Sequence, residues 1–229
     1  MVQRSHTLAV LIPLFVLAAC GDSNNNVTGT SNTATVRFVN ETGSSIDATN
    51  GGTVGSGNGN IAFGGNSTCM AVNTSGSSGS GLGFNTAGTS TSIPGFTQNF
   101  ASGGNYTVVA YPSSSGTTQF ATLDNSGFTA NSGQSGLRIF NGASGSGNLV
   151  ALGNGSAFGT GTGVGYGTAG SFMNVNSGSQ AVTFNTGTGT STAANAGTLN
   201  FTAGQNYTLF VAPAASGSTA LRTFLVAGC

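Results

Sequence analysis

Carboxylate side chains are the first candidates for chemistry in this sequence, because they serve as general acids, general bases and metal ligands. The sequence contains four of them, Asp22, Glu41, Asp47 and Asp124. Glu41 and Asp47 are close enough to share a loop, and a pair of carboxylates can hydrolyse a glycosidic bond. Two solvated turn residues are the simpler interpretation of this spacing. The Asp-Asn-Ser-Gly run that begins at Asp124 offers oxygen ligands to calcium, but it is more simply a turn.

Groups that activate a nucleophile are scarce. The sequence has one His, His6, which lies in an N-terminal segment that we expect to be removed, and it has no Lys. The many Ser residues therefore lack a base with which to form a catalytic triad, and zinc or iron sites lack ligands. We predict that the protein is not an enzyme and has no catalytic residues, no metal site and no cofactor.

The low charge of the chain excludes another class of partner. Charged residues make up 3% of the sequence, against about 25% in an ordinary soluble protein. Beyond the N-terminal segment the cations are Arg37, Arg138 and Arg222, whereas nucleic-acid binding needs clustered Lys or Arg. We therefore expect no nucleic-acid partner. Arg37 and Arg138 occupy equivalent places in two similar segments; each either covers apolar surface with its stem or binds a carboxylate or sulfate.

The N-terminus carries a membrane-targeting pattern. The apolar run 8–19 follows Arg4 and ends in Leu-Ala-Ala-Cys-Gly, in which the Cys is Cys20. A run of about 12 residues is too short to span a bilayer as a helix but suits a signal peptide. The ending resembles the lipobox of bacterial lipoproteins, which implies cleavage before Cys20, acylation of Cys20 and retention on a membrane. The alternative is an ordinary secretory signal with a coincidental Cys.

We accordingly predict a signal peptide at 1–19 and a lipidated Cys with a flexible tether at 20–33. Several acyl chains make such an anchor stable. Asp22 lies two places after Cys20 rather than directly next to it. In lipoprotein sorting, an Asp directly after the Cys favours the inner membrane, so the outer membrane is the favoured location, on its periplasmic or surface face.

The rest of the chain contains an internal repeat. Residues 36–40 match residues 137–141, and the Asn-Tyr-Thr runs at Tyr106 and Tyr207 also match, with an offset of about 100 throughout. Short apolar runs alternate with Gly, Ser, Asn and Thr clusters, which indicates an all-β sandwich. We predict two tandem immunoglobulin-like antiparallel β-sandwich repeats, at 34–125 and 136–229, joined by a linker at 126–135.

Tyr106 and Tyr207 each follow a Gly turn and begin an apolar run. This pattern is typical of the tyrosine corner of immunoglobulin-like sandwiches, in which the Tyr hydroxyl binds backbone near the start of a strand. We expect both to be structural tyrosines. Stacking of the two rings on a carbohydrate is the alternative.

Residues 33–229 resemble a family of domains of unknown function in bacterial secreted proteins and lipoproteins. The resemblance rests on residues 36–40, residues 137–141 and the two Asn-Tyr-Thr runs, since members have a Val-Arg-Val-Val-like first strand and a Gly-x-Tyr-Thr-Val strand near the end of each repeat. The sequence departs from the family after its first strand, where residues 40–44 replace the usual His-Ala-Ser-Pro-Asp. The resemblance implies tandem immunoglobulin-like repeats and no catalytic residues.

The remaining cysteines are expected to pair. Acylation removes Cys20 from the count and leaves Cys69 and Cys229 in an oxidising compartment, where an even number usually forms disulfides. A Cys69–Cys229 bond requires the second repeat to fold back alongside the first. The alternative is one buried free thiol and one exposed thiol.

These observations predict a non-enzymatic, lipid-anchored protein of the cell envelope. Its repeats act as a spacer or as a binding module for an unidentified protein or glycan. A surface adhesin or glycan-binding protein is the alternative function. The sequence has four Tyr and no Trp, a poor supply of the aromatic residues that stack on sugars, which weighs against that alternative.

Overall fold

The structure is a computed structural model that describes residues 32–74, 81–158, 163–186, 192–214 and 220–229. The predicted signal peptide, Cys20 and the tether up to residue 31 lie outside these residues. Within the described ranges every helix or strand assigned is a strand, which confirms the predicted all-β class. Helices are disfavoured in a chain with 40 Gly, since each Gly in a helix costs about 1 kcal/mol relative to Ala. The same ranges contain no helix long and apolar enough to cross a membrane.

The N-terminal half forms two sheets. Its strands are β1 (Thr33–Asn40), β2 (Ile46–Asn50), β3 (Thr53–Val54), β4 (Met70–Asn73), β5 (Leu82–Thr86), β6 (Asn105–Pro112) and β7 (Thr118–Asp124). One sheet has the order β4-β1-β6-β7 and the other the order β3-β2-β5. β1 is antiparallel to β4 and parallel to β6, with Val36 opposite Tyr106.

The C-terminal half repeats this arrangement. Its strands are β8 (Gln134–Asn141), β9 (Leu149–Gly153), β10 (Ser156–Ala157), β11 (Thr168–Ala169), β12 (Met173–Asn176), β13 (Gly178–Thr186), β14 (Thr192–Phe201), β15 (Asn206–Pro213) and β16 (Leu221–Ala227). The sheets have the orders β11-β8-β15-β16, with β12 also on β8, and β10-β9-β13-β14. β8 is parallel to β15, with Leu137 opposite Tyr207. β8 thus begins within the predicted linker.

The two halves differ in how β14 and its counterpart in the N-terminal half pair with the neighbouring strand. In the C-terminal half, β14 pairs with β13 along most of its length. In the N-terminal half, the corresponding segment 91–100 contains Pro94 and makes only the isolated bridge between Asn85 and Ser92. Proline has no backbone N–H to donate to a sheet, so it limits pairing at this edge.

Each half encloses its own apolar core between its two sheets. In β1 the inward residues are Ala34, Val36 and Phe38, and the Phe38 ring contacts the Phe84 ring of β5. The C-terminal core is built in the same way around Leu137, Phe184 and other buried side chains. The side-chain period of two along each strand sends alternate residues to this core.

A third core, the inter-half core, lies between the two halves. It consists of buried side chains from the opposite faces of the central strands and their neighbours: Val39, Val109, Tyr111, Leu123, Phe140, Phe210 and Val226. β1, β6, β8 and β15 are therefore buried on both faces, which explains why their sequences are nearly continuous apolar runs. Ser31–Cys229 forms one compact unit.

Removing the Phe140 ring should destabilise both halves together. Phe140 is fully buried in the inter-half core and packs against Phe210 and Tyr111. We expect Phe140→Ala to lower the free energy of unfolding by about 3–5 kcal/mol, because it leaves a cavity. Urea unfolding followed by circular dichroism should still show one transition. The matched control is Val54→Ala at an exposed position, which should cost less than about 0.5 kcal/mol; separate transitions for the two halves would contradict a shared core.

Candidate functional site

The interface between the halves has an approximate two-fold arrangement, defined by two arginines. Arg37 of β1 donates from Nη1 to the Ala227 carbonyl at the end of β16. Arg138 of β8 donates from Nη1 to the Asp124 carbonyl at the end of β7, at 2.6 Å. Asp124 lies opposite Tyr106, and Ala227 lies opposite Tyr207, so the two acceptors are equivalent. Each arginine thus binds the last strand of the other half.

Arg138 holds one end of this interface, which we call the aromatic end. Its Nε donates to Thr208 Oγ1 at 3.0 Å and its Nη2 to Asn125 Oδ1. Its guanidinium lies 4.5 Å from the centre of the Phe172 ring, which stacks on Phe128 with 5.1 Å between ring centres. Arg138 is 4% exposed. Its side chain therefore packs against the other half of the chain and does not lie on solvent-exposed surface.

The charge of Arg138 survives this burial. Burial lowers the pKa of Arg138 to about 10, and the nearby Asp124 carboxylate partly opposes that shift. The guanidinium is therefore cationic at neutral pH. It borders an open groove of about 610 Å³ between β7 and residues 167–172. Because its three nitrogens already donate to acceptors, Arg138 serves first as a structural contact.

The other end of the interface, the cystine end, carries the disulfide. Cys69 and Cys229 are bonded, with 5.9 Å between their Cα atoms, which confirms the predicted pairing and the folding back that it requires. Arg37 Nη2 lies 3.1 Å from Cys69 Sγ. Cys69 corresponds to Phe172 in the repeat. The disulfide at the cystine end is therefore the counterpart of the Phe172–Phe128 stack at the aromatic end.

Glu41 lies at the centre of the interface. It is 1% exposed, and neither carboxylate oxygen has a hydrogen-bond partner among the described residues. Burial raises the pKa of Glu41 well above its ordinary value. Burial, and secondly the charge of Glu41, raise the pKa of Tyr111. Burial therefore favours the neutral form of the Glu41 side chain.

Gly142 makes room for Glu41. The two residues are equivalent in the repeat, since Asn40 matches Asn141, and a Cβ atom at position 142 would overlap Glu41 Oε2. The Glu41 side chain alone thus fills the space between the two halves near the approximate two-fold axis. Tyr166 lies beside this region, where its ring meets Tyr111 and its hydroxyl donates to the Pro112 carbonyl.

The structure corrects the interpretation of Glu41 and Asp47 as solvated turn residues. Both are buried, at 1% and 7% exposure, because the second half covers Glu41 and local loops cover Asp47. Asp47 accepts hydrogen bonds from the amides of Asn60, at 2.6 Å, and Gly88, at 2.8 Å. The two carboxylates therefore have separate environments and separate structural roles.

The turn at Asp124 uses its carboxylate in the same local way. Asp124 Oδ1 accepts a hydrogen bond from the Ser126 amide at 2.8 Å, which is the geometry of an Asx turn. Among the described residues, no group of three or more His, Cys, Asp or Glu residues is placed to hold a metal ion.

Tyr106 and Tyr207 have matching surroundings. Tyr106 Oη accepts a hydrogen bond from the Ala101 amide, and Tyr207 Oη accepts one from the Thr202 amide, both at 3.2 Å. Their rings lie against Phe100 and Phe201, respectively. The preceding turns place Gly103 and Gly204 at φ +71° and +79°, a backbone region that glycine adopts without strain.

Sequence reasoning missed the central cluster of Glu41, Tyr111, Tyr166 and Gly142. The available signal was the mismatch of Glu41 against Gly142 directly after two matching strands. That mismatch becomes informative only when the two halves are known to face each other.

Comparison with protein-family models and with curated proteins finds no significant match to this chain.

A side chain at position 142 should be tolerated only when Glu41 is shortened. We expect Gly142→Ala to destabilise the protein by about 1–3 kcal/mol, because the new methyl group overpacks the site. In a Glu41→Ala background the same change should cost much less. A double-mutant cycle by urea unfolding measures this coupling; additive effects of the two substitutions would refute the shared space.

Replacing Glu41 by a neutral isostere should remove a pH dependence of stability. The pKa of Glu41 is higher in the folded protein than its ordinary value of 4.5, because the side chain is buried. The stability that Glu41 contributes is therefore fully present below its pKa in the unfolded chain. That stability is lost as pH rises through its pKa in the folded protein. We expect the stability of Glu41→Gln, relative to the original protein, to increase from pH 4 to pH 7.

The control for this measurement is Gln119→Glu, which adds a carboxyl group at an exposed position of β7. It should leave the pH profile of thermal unfolding almost unchanged. Parallel profiles for Glu41→Gln and the original protein would show that folding leaves the pKa of Glu41 unchanged, which would contradict this prediction.

Proposed function

We propose that this protein is a non-enzymatic, lipid-anchored protein of the bacterial cell envelope. Its two β-sandwich repeats act as a rigid spacer or binding module and belong to the secreted family that the sequence resembles. The observation that carries the proposal is the Leu-Ala-Ala-Cys-Gly run at Cys20 after the short apolar segment 8–19. Acylation of Cys20 attaches the chain to a membrane, with the outer membrane favoured by the position of Asp22.

The connection between Cys20 and the folded body suits a membrane-proximal module. Thr74 donates a backbone hydrogen bond to the Asn32 carbonyl at 2.7 Å, and β1 starts at Thr33. The polar segment 21–31 therefore links the anchor to a fixed point of the body. Fully extended, about 11 residues span at most roughly 40 Å, so the body stays close to the lipid surface.

The disulfide supports an extracytoplasmic location. Cys69 and Cys229 form a bond between the two halves, and stable disulfides are typical of the periplasm and cell surface rather than the cytosol. Closure of a loop with a sequence separation of 160 stabilises such a body by about 2–4 kcal/mol.

The roles of the acidic residues and tyrosines support a spacer or scaffold. Glu41 fills the inter-half axis, and Asp47 and Asp124 bind backbone amides. Tyr106 and Tyr207 hold backbone amides through their hydroxyls and pack against Phe rings. This packing favours a structural role over carbohydrate stacking by the same rings.

Replacing Cys20 should release the protein from the membrane. We expect Cys20→Ala, expressed in a bacterium with lipoprotein processing, to lose incorporation of a palmitate analogue and to leave the membrane fraction. The control is Cys69→Ala/Cys229→Ala, which retains Cys20 and should keep both the label and the membrane association. A Cys20→Ala protein that is labelled and sedimented like the original would overturn the proposed anchor.

A further inference from the structure

The Cys69–Cys229 disulfide is accessible to solvent although it joins the two halves. Both cysteines are exposed, in contrast to the buried residues of the inter-half core. The residues around it come from three places: Arg37 of β1, Ala227 at the end of β16, and Asn105, whose Nδ2 donates to the Cys229 carbonyl at 2.9 Å. The disulfide therefore lies in a solvent-exposed region of the folded protein.

The two sulfur atoms are chemically different. Arg37 Nη2 lies 3.1 Å from Cys69 Sγ, and Nη1 of the same guanidinium is held by the Ala227 carbonyl. Arg37 Nε is buried and has no hydrogen-bond partner among the described residues. The guanidinium is thus fixed with its charge beside Cys69. A neighbouring cation stabilises a thiolate and lowers the pKa of its thiol.

We propose that this disulfide is a thiol–disulfide exchange site with a defined direction of attack. The sulfur of an incoming thiolate attacks Cys229 Sγ and forms a new S–S bond. The Cys69–Cys229 bond breaks, and its electron pair stays on Cys69 Sγ as a thiolate beside Arg37. The product is a mixed disulfide between Cys229 and the thiol compound; a second thiol then releases Cys229 and carries away both partner sulfurs as a disulfide.

The direction of attack follows from which of the two sulfur atoms leaves more readily as a thiolate. In thiol–disulfide exchange, the thiol with the lower pKa leaves faster, and Arg37 is placed to lower the pKa of Cys69. Arg37 hydrogen-bonds the Cys69 sulfur directly, whereas the hydrogen bond from Asn105 to Cys229 is made to its main-chain oxygen. Cys229 is therefore the sulfur that accepts the incoming thiol.

Exchange would release one end of the interface and leave the other in place. Arg138, Phe172 and Phe128 still hold the aromatic end, and the inter-half core does not include either cysteine. The reaction thus couples the local concentration of thiols to the covalent link between the start of β4 and the end of β16 at the cystine end. A thiol-bearing molecule becomes attached covalently at Cys229 in the intermediate.

The site of attachment tests the direction of attack. The intact processed protein is incubated with reduced glutathione, quenched with acid and alkylated, and then digested with trypsin, which cuts after Arg222. We expect glutathione on the peptide 223–229 and the alkylating group on Cys69. Glutathione on Cys69, or an even distribution, would overturn the proposed direction.

The role of Arg37 is tested by kinetics. Arg37→Gln should slow exchange with glutathione, because the pKa of the leaving Cys69 thiol rises and a thiol of higher pKa leaves more slowly. The matched control is Arg138→Gln, which loses the equivalent contact at the aromatic end and should exchange at the original rate or faster. Equal slowing in both variants would indicate a purely structural effect and refute the proposal.

A second readout does not depend on a variant. After reduction of the original protein, the rate of Cys69 alkylation by iodoacetamide is measured against pH. We expect the midpoint of this rate against pH to lie below the ordinary Cys pKa of about 8.5. At high salt, screening of the guanidinium charge should bring the midpoint closer to that value. A midpoint at or above the ordinary value would contradict the assignment of Cys69 as the leaving thiolate.

Discussion

The face-to-face packing of two sheets, one from each half, is the constraint on which the rest of the structure depends. Val39 and Val109 on one side meet Phe140 and Phe210 on the other. This packing requires apolar residues on both faces of the central strands. It also requires polar groups at the margins to find partners across the interface, since a buried unpaired polar group is costly. The two arginines supply such partners to the carbonyl groups at the strand ends of the opposite half.

The same constraint explains how equivalent positions acquire different chemistry. Cys69 and Phe172 occupy corresponding places at the two ends of the interface. One end is closed by a covalent bond and the other by a stacked pair of rings under a guanidinium. An aromatic pair contributes about 0.5–1.5 kcal/mol beyond its buried area, whereas a disulfide over a long loop contributes more. The interface therefore has a reversible contact at one end and a redox-dependent one at the other.

Local patterns in the sequence were sufficient to predict the class and several contacts. The repeated apolar runs predicted strands, and the count of cysteines predicted the Cys69–Cys229 bond. Arg138 and Glu41 illustrate what local patterns cannot supply. An arginine between apolar residues in a strand indicates a side chain on the face opposite the core, but it does not indicate that a second sheet covers that face. The burial of Glu41 likewise depends on Gly142, which is about 100 residues away in the chain.

The pairing of Glu41 with Gly142 has a consequence for the history of the duplication. Two identical halves related by a two-fold axis would place identical side chains next to the axis. A half that carries Glu there would meet its own copy with two carboxyl groups in the space of one, and a half that carries Gly would meet its copy across a void. Each half therefore fits its unlike sister better than itself. This asymmetric position therefore favours the pairing of two unlike halves within one chain over the pairing of two identical copies.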